Sequence, residues 1–157
     1  MAKIGYGNWN ELPWRPLPTK FVDGECKTYQ LVFGMECENM FATIGKCYNG
    51  MPIGNHTHPH EQVAIVLQGE MDFYVDGIPY RMTAGSWINI PPHYEHYTHV
   101  YRSKVPMIEI EVFTPRREST IEAYKEFLKT MGVNWDKHVR IVPDLTAPKD
   151  PNQEVRA

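Results

Sequence analysis

The chain of 157 residues carries 16 Lys and Arg against 19 Asp and Glu, a net charge of −3 that gives no support for nucleic acid or an anionic membrane as partner. Its length fits one domain with a core of its own, and 42% hydrophobic with 22% charged residues is the composition of an ordinary soluble globular protein. No apolar run approaches the ~18–20 residues of a membrane span, no signal-peptide core opens the chain, and three cysteines without a Cys-x-x-Cys pair exclude a disulfide scaffold or zinc knuckle, so a reduced, cytoplasmic protein is expected.

Thirteen prolines and eleven glycines demand many turns and few long helices. Pro13, Pro16 and Pro18, set among Trp9, Trp14 and Leu17, forbid a helix and predict an extended arm over residues 1–25. Its aromatics want a surface, either the domain's own or that of a neighbouring subunit. A body over 26–114 follows. From Thr28 to Phe113 the runs TYQLVFG, NMFATIGKCY, QVAIVLQ, MDFYVDG, SWINIP and MIEIEVF are rich in branched and aromatic residues and read as strands. Asn49-Gly50 and Asp76-Gly77 punctuate two joins as hairpin-type turns. Alternation is strictest where Met107, Glu109 and Glu111 oppose Ile108, Ile110 and Val112. Strands with no helices between them point to an antiparallel sandwich or barrel, an all-β fold class.

Residues 115–142 change to a helical pattern and an extension. Ser119 followed by Glu122 predicts a capping box, Ile121, Tyr124, Phe127, Leu128 and Met131 share a stripe, and Gly132 supplies the stop. Residues 143–157 read as a surface tail.

Six of the seven histidines fall between positions 56 and 99. His56 and His58 are two apart, so on an extended segment both rings leave one face, about 6–7 Å apart. Gln62 follows beyond Pro59 and can return its amide oxygen to that face; its alternative role is a hydrogen bond to a neighbour. A second segment, Gly85 to His96, runs through a strand and ends it at Pro91-Pro92. If that strand lies across from His56 and His58, three imidazoles and an amide oxygen converge. Such donors suit one divalent transition metal per chain, Zn, Fe, Mn, Ni or Co, and spacing does not choose among them.

These residues resemble the cupin family. Its first motif reads Gly, five residues, His-x-His, three or four residues, Glu, six residues, Gly; Gly50, His56, His58, Gln62 and Gly69 match it, with Gln62 in the usual Glu place. In its second motif Gly85, Pro91 and His96 match, His93 stands where Gly is usual and Val100 where the final Asn falls. The resemblance implies a jelly-roll barrel (a double-stranded β-helix), to which the chain adds the N-terminal extended arm and one C-terminal α-helix read above. It also implies a metal held inside by His56, His58, Gln62 and His96, and a homodimer. Gln62 removes a negative charge from the usual ligand set, which makes a bound ion a stronger Lewis acid and disfavours high oxidation states.

The expectation is therefore a metal-dependent lyase or isomerase acting on a small oxygenated substrate: a carbonyl compound, an oxo-acid or a sugar acid. An Fe(II) dioxygenase on the same three histidines and a non-catalytic small-molecule binder are the alternatives. Candidate acid–base residues are Glu61, His60 and Tyr94, the first two having also the plain reading of a surface pair. Parity with Gln62 sets Ala64 and Val66 on the pocket side, with Met71 and Phe73 on the next strand, an apolar wall for a compact substrate.

Overall fold

A computed structural model describes residues 2–142; Met1 and the expected tail, 143–157, lie outside the described residues. Branched and aromatic side chains at every second position make strands that need two covered faces, and the chain supplies both covers itself. In order come β1 (Ala2–Gly5), β2 (Arg15–Pro16), β3 (Phe21–Val22), β4 (Glu25–Cys26), β5 (Thr28–Phe33), β6 (Phe41–Cys47), β7 (Glu61–Gln68) and β8 (Glu70–Val75). Then follow β9 (Ile78–Thr83), β10 (Trp87–Ile90), β11 (His96–His99), β12 (Met107–Thr114), the helix α1 (Glu118–Thr130) and β13 (Val139–Val142).

One sheet has the order β10-β7-β12-β6-β5-β2 and the other β11-β8-β9, with two small ribbons, β1-β13 and β3-β4. Every pairing is antiparallel. Between the two main sheets Ala64, Val66, Met71, Phe73, Met82 and Met107 form one buried core. This is the jelly-roll barrel expected of the sequence. A second core lies outside it, where Ile121, Tyr124 and Leu128 of α1 cover Leu31 and Ile44 of the large sheet.

Asp76 (φ 50°) and Gly77 (φ 76°) form the two-residue turn between β8 and β9, both in the left-handed region a type I′ hairpin needs. Asn49-Gly50 does not make a hairpin. Asn49 instead exchanges hydrogen bonds with the backbone of Ser103, donating at 2.9 Å and accepting at 3.0 Å, so the chain leaves β6 toward the histidines. Strand β9 was not among the expected runs: Ile78, Tyr80 and Met82 alternate with Pro79, Arg81 and Thr83, but it is a sheet edge with a proline in it and only Met82 buried.

The capping box also fails. Helix α1 begins at Glu118 with Arg117 as its N-cap, placing Ser119 inside the first turn, and the cap has no side-chain hydrogen bond. Met131 is exposed rather than part of the buried stripe. The arm lies on its own domain. Strand β2 pairs with β5, Lys46 Nζ sits 4.2 Å from the Trp14 ring centroid, and the Tyr124 hydroxyl donates to the Pro13 carbonyl at 3.1 Å.

Candidate metal centre

The two histidine segments meet through their backbones before their rings do. His56 N donates to His96 O at 3.2 Å and His96 N to His56 O at 3.0 Å, an isolated antiparallel bridge ahead of β7. His93 N donates to His58 O at 2.8 Å, which ties the turn after β10 to the first segment. His93 adopts φ 68° to do so, a left-handed conformation in the place where the motif usually has glycine. Gln62 is the second residue of β7 and is buried against its partners Phe113 on β12 and Ile90 on β10.

One ring nitrogen from each of His56, His58 and His96 lies within 4.8 Å of the other two. The second nitrogen of each ring is occupied. Nδ1 of His56 meets Gly54 O at 2.7 Å, Nδ1 of His58 meets His60 O at 3.0 Å, and Nδ1 of His96 meets Tyr94 O at 2.8 Å. A carbonyl only accepts, so each Nδ1 carries the proton and each Nε2 keeps a free lone pair. The same carbonyl-anchored arrangement orients metal-binding histidines generally. Burial lowers the pKa of His56, and burial drives that of His96 down to about 4, so both rings are neutral at physiological pH.

Two details test whether a cation fits. His96 Nε2 is buried with no hydrogen-bond partner. His58 Nε2 faces Gln62 Oε1 at 3.0 Å, although Gln62 spends its amide N–H on Glu111 Oε1 at 2.6 Å. Two acceptors that close need a positive centre between them. A second ring proton on His58 would answer that one pair, whereas a divalent ion answers it and the orphaned His96 nitrogen together. Three imidazoles and an amide oxygen are a neutral donor set suited to a divalent transition metal.

His56, His58 and Gln62 line a cavity of about 200 Å³ inside the barrel. Its apolar wall is the stacked pair Phe41 and Phe113, ring centroids 4.9 Å apart. Its floor is acidic: Glu109 and Glu111 project inward from β12 between Met107 and Phe113. Burial raises the pKa of Glu109 well above the usual carboxylate range, and the neighbouring Glu111 adds to it. Burial raises Glu111 as well, while hydrogen bonds from Thr43 and Gln62 pull it back. Lys20 and Arg117 bring positive charge to the same cavity, Lys20 donating to Pro52 O at 2.6 Å.

The remaining expected site residues stand elsewhere. Ala64, Val66, Met71 and Phe73 are sealed into the core between the sheets, and the cavity takes its apolar wall from Phe41 and Phe113 instead, beside an acidic floor. Glu61 is exposed, its side chain alternating outward from Gln62. His60 is half-buried beside His58, ring centroids 5.4 Å apart, and Tyr94 is half-exposed on another groove; none of the three lines the cavity. Glu109 and Glu111 were missed as site residues. Their parity was plain, but alternating glutamates look like a solvent face, and only Met107 and Phe113 at the same parity signal an interior one.

The Cupin domain family profile matches residues 49–113. Among solved structures, an RmlC-like cupin from Shewanella frigidimarina is 24% identical with a TM-score of 0.60, covering 76% of this chain and 99% of that one. KdgF from a Halomonas species is 22% identical with a TM-score of 0.60, covering 74% and 96%. The DMSP lyase DddQ from Ruegeria pomeroyi is 20% identical with a TM-score of 0.55, covering 65% and 55%. At such identities the likeness is one of fold. A search of curated protein sequences gives no match.

Proposed function

We propose that this chain, a member of the cupin superfamily, is a metal-dependent lyase or isomerase acting on a small oxygenated substrate, a carbonyl compound, an oxo-acid or a sugar acid. The observation that carries the reading is the convergence of three proton-free imidazole nitrogens with the Gln62 amide oxygen. His56, His58, Gln62 and His96 would hold one divalent transition cation per chain. Such an ion supplies Lewis acidity toward a substrate carbonyl or carboxylate oxygen.

The chain's own groups set up the rest. The carbonyls of Gly54, His60 and Tyr94 fix the three rings, and Glu111, itself accepting from Thr43 Oγ1 at 3.1 Å, fixes the Gln62 amide. All four donors are neutral, which suits proton transfer and elimination better than oxidation. Lys20 and Arg117 suit a substrate carboxylate, and Phe41 with Phe113 keeps one side of the cavity dry. A DMSP lyase on the same fold supports the reaction class.

The three free cysteines accord with a reducing cytoplasm, and exposed Ile78, Tyr80 and Trp87 on edge strands accord with a homodimer. Among the described residues no helix is long and apolar enough to cross a membrane. The test is elemental analysis of the purified protein, followed by NMR screening of small hydroxy and oxo acids. One equivalent of metal and loss of a C–O bond or movement of a carbonyl are expected. Oxygen uptake instead would move the reading to a dioxygenase, and a metal-free protein that still turns over substrate would end it.

A further inference from the structure

Two carboxyl groups face the same cavity from β12, and their surroundings differ. Glu111 has both oxygens engaged as acceptors, Oε1 from the Gln62 amide at 2.6 Å and Oε2 from the Thr43 hydroxyl at 3.1 Å. Glu109, 4% exposed, has its Oε2 sealed from solvent with no partner. An orphaned buried carboxylate oxygen is costly, and a second negative charge two residues along the same inward face costs more. A proton on Glu109 removes both costs. Burial and the charge of Glu111 both favour that proton, and no hydrogen bond opposes it.

Space is left for this side chain. Gly45, opposite Glu109 in the β6–β12 pairing, is the neighbour against which it lies: a Cβ there would stand 3.4 Å from both Cγ and Oε1. Gln30 and Cys47 line the same cavity, and burial keeps Cys47 a neutral thiol. Lys20, the lysine that lines the cavity, already donates to Pro52 O. Glu109 itself lines the cavity, and its sealed Oε2 has no protein partner to take the O–H of the protonated form.

We propose that Glu109 is the proton donor of the cavity, a neutral carboxylic acid that gives its O–H to a hydroxyl or carbonyl oxygen of the substrate. This rests on reading the cavity as the substrate site. The Glu109 O–H bond breaks as one forms on the substrate oxygen, and the electron pair stays on Glu109 as a carboxylate. Beside Glu111 that anion is a strong base and recovers a proton from substrate carbon. In an elimination the departing hydroxyl leaves as water; in an isomerisation the proton has moved from carbon to oxygen. Both close with the starting acid restored.

Infrared spectra of the zinc-loaded protein at neutral pH test the assignment, with glycolate as the probe. We expect a protonated-carboxyl band that vanishes in Glu109→Gln, persists in Glu111→Gln, and shifts when glycolate is added. Absence of the band, its survival in Glu109→Gln, or its indifference to glycolate overturns the proposal. Should Glu109→Gln fail to fold, wild-type protein labelled with 13C at the glutamate carboxyls answers the same question. One carboxyl resonance must then remain protonated at neutral pH and move with glycolate, and its absence is equally fatal. Zinc content measured on the same samples separates the two ideas: a band without bound zinc sinks the metal reading and leaves Glu109 standing. On any acid the protein turns over, Glu109→Gln keeps an N–H donor but no transferable proton, so kcat falls about 100- to 10,000-fold with KM nearly unchanged.

Discussion

His56 and His96, forty residues apart in the chain, exchange both of their backbone hydrogen bonds, N to O at 3.2 and 3.0 Å, and bring their ring centroids to 4.4 Å. The main chain therefore fixes the spacing of these two rings, and the Gly54 and Tyr94 carbonyls fix their rotation. A site prepared this way loses little side-chain freedom when it binds an ion.

Removing one ring should empty the site. His96→Ala is expected to weaken metal binding by more than the ~10–100-fold typical of losing an outer partner of a ligand. His99→Ala, whose half-buried ring packs 4.4 Å from Tyr101, should bind as wild type. Equilibrium dialysis with elemental analysis reads both, and equal loss in the two variants would refute the donor set.

Gln62→Glu installs the residue that the cupin motif usually carries, here against a second carboxylate. It deletes the N–H given to Glu111 at 2.6 Å and sets two acids face to face. The metal-free variant should lose about 1–3 kcal/mol in denaturant unfolding, with most of it recovered on metal addition. Unchanged stability without metal would show that the Gln62–Glu111 bond contributes nothing.

Two motif glycines should respond unequally to alanine. A Cβ on Gly69 (φ 75°) would stand 2.6 Å from Ser103 Oγ and 2.9 Å from Met107 Cα, whereas Gly85 (φ 91°) has nothing within 4 Å. Gly85→Ala should cost about 1 kcal/mol from backbone strain, and Gly69→Ala about 2–4 kcal/mol because backbone must move as well. Chemical denaturation of both variants compares them directly.

Acid should loosen the small sheet through Asp72. Burial alone would raise its pKa, but hydrogen bonds from Tyr101 (2.6 Å) and Arg81 (3.1 Å) and the charge of Arg102 outweigh burial and hold it low. A lowered folded pKa gives stability that is present above the unfolded value, about 3.9, and is lost as pH falls through the folded one. Thermal midpoints of the wild type should drop below about pH 4, and Asp72→Asn should flatten that part of the curve. A parallel drop in both proteins would assign it to other groups.

Much of this was legible because chemistry and spacing coincide in the motifs. His-x-His, the Gly85–Pro91–His96 spacing and the Asp76-Gly77 turn each require a local geometry that the chain adopts. Strand β9 was passed over although Ile78, Tyr80 and Met82 alternate, because Pro79 and Arg81 between them read as a turn and a solvent-exposed stretch. The apolar pocket was misplaced because Ala64 and Val66 share the parity of Gln62 yet lie deeper, where the two sheets close on each other. Parity names a face of a strand; it does not say how far along that face the interior stays open. The acidic floor was hidden for a different reason: glutamates at every second position of β12 read as a solvent-facing side.

Pairing of Ala2 with Val142 in the β1–β13 ribbon brings the two extremities of the described chain side by side. No residue of that ribbon borders the histidine cavity. A label carried on Lys3 or Ile141 of that ribbon would thus sit at one corner, away from the histidine cavity. Joining the extremities and reopening the polypeptide at the Asp76-Gly77 bend would give a circular permutant with its barrel connections otherwise intact.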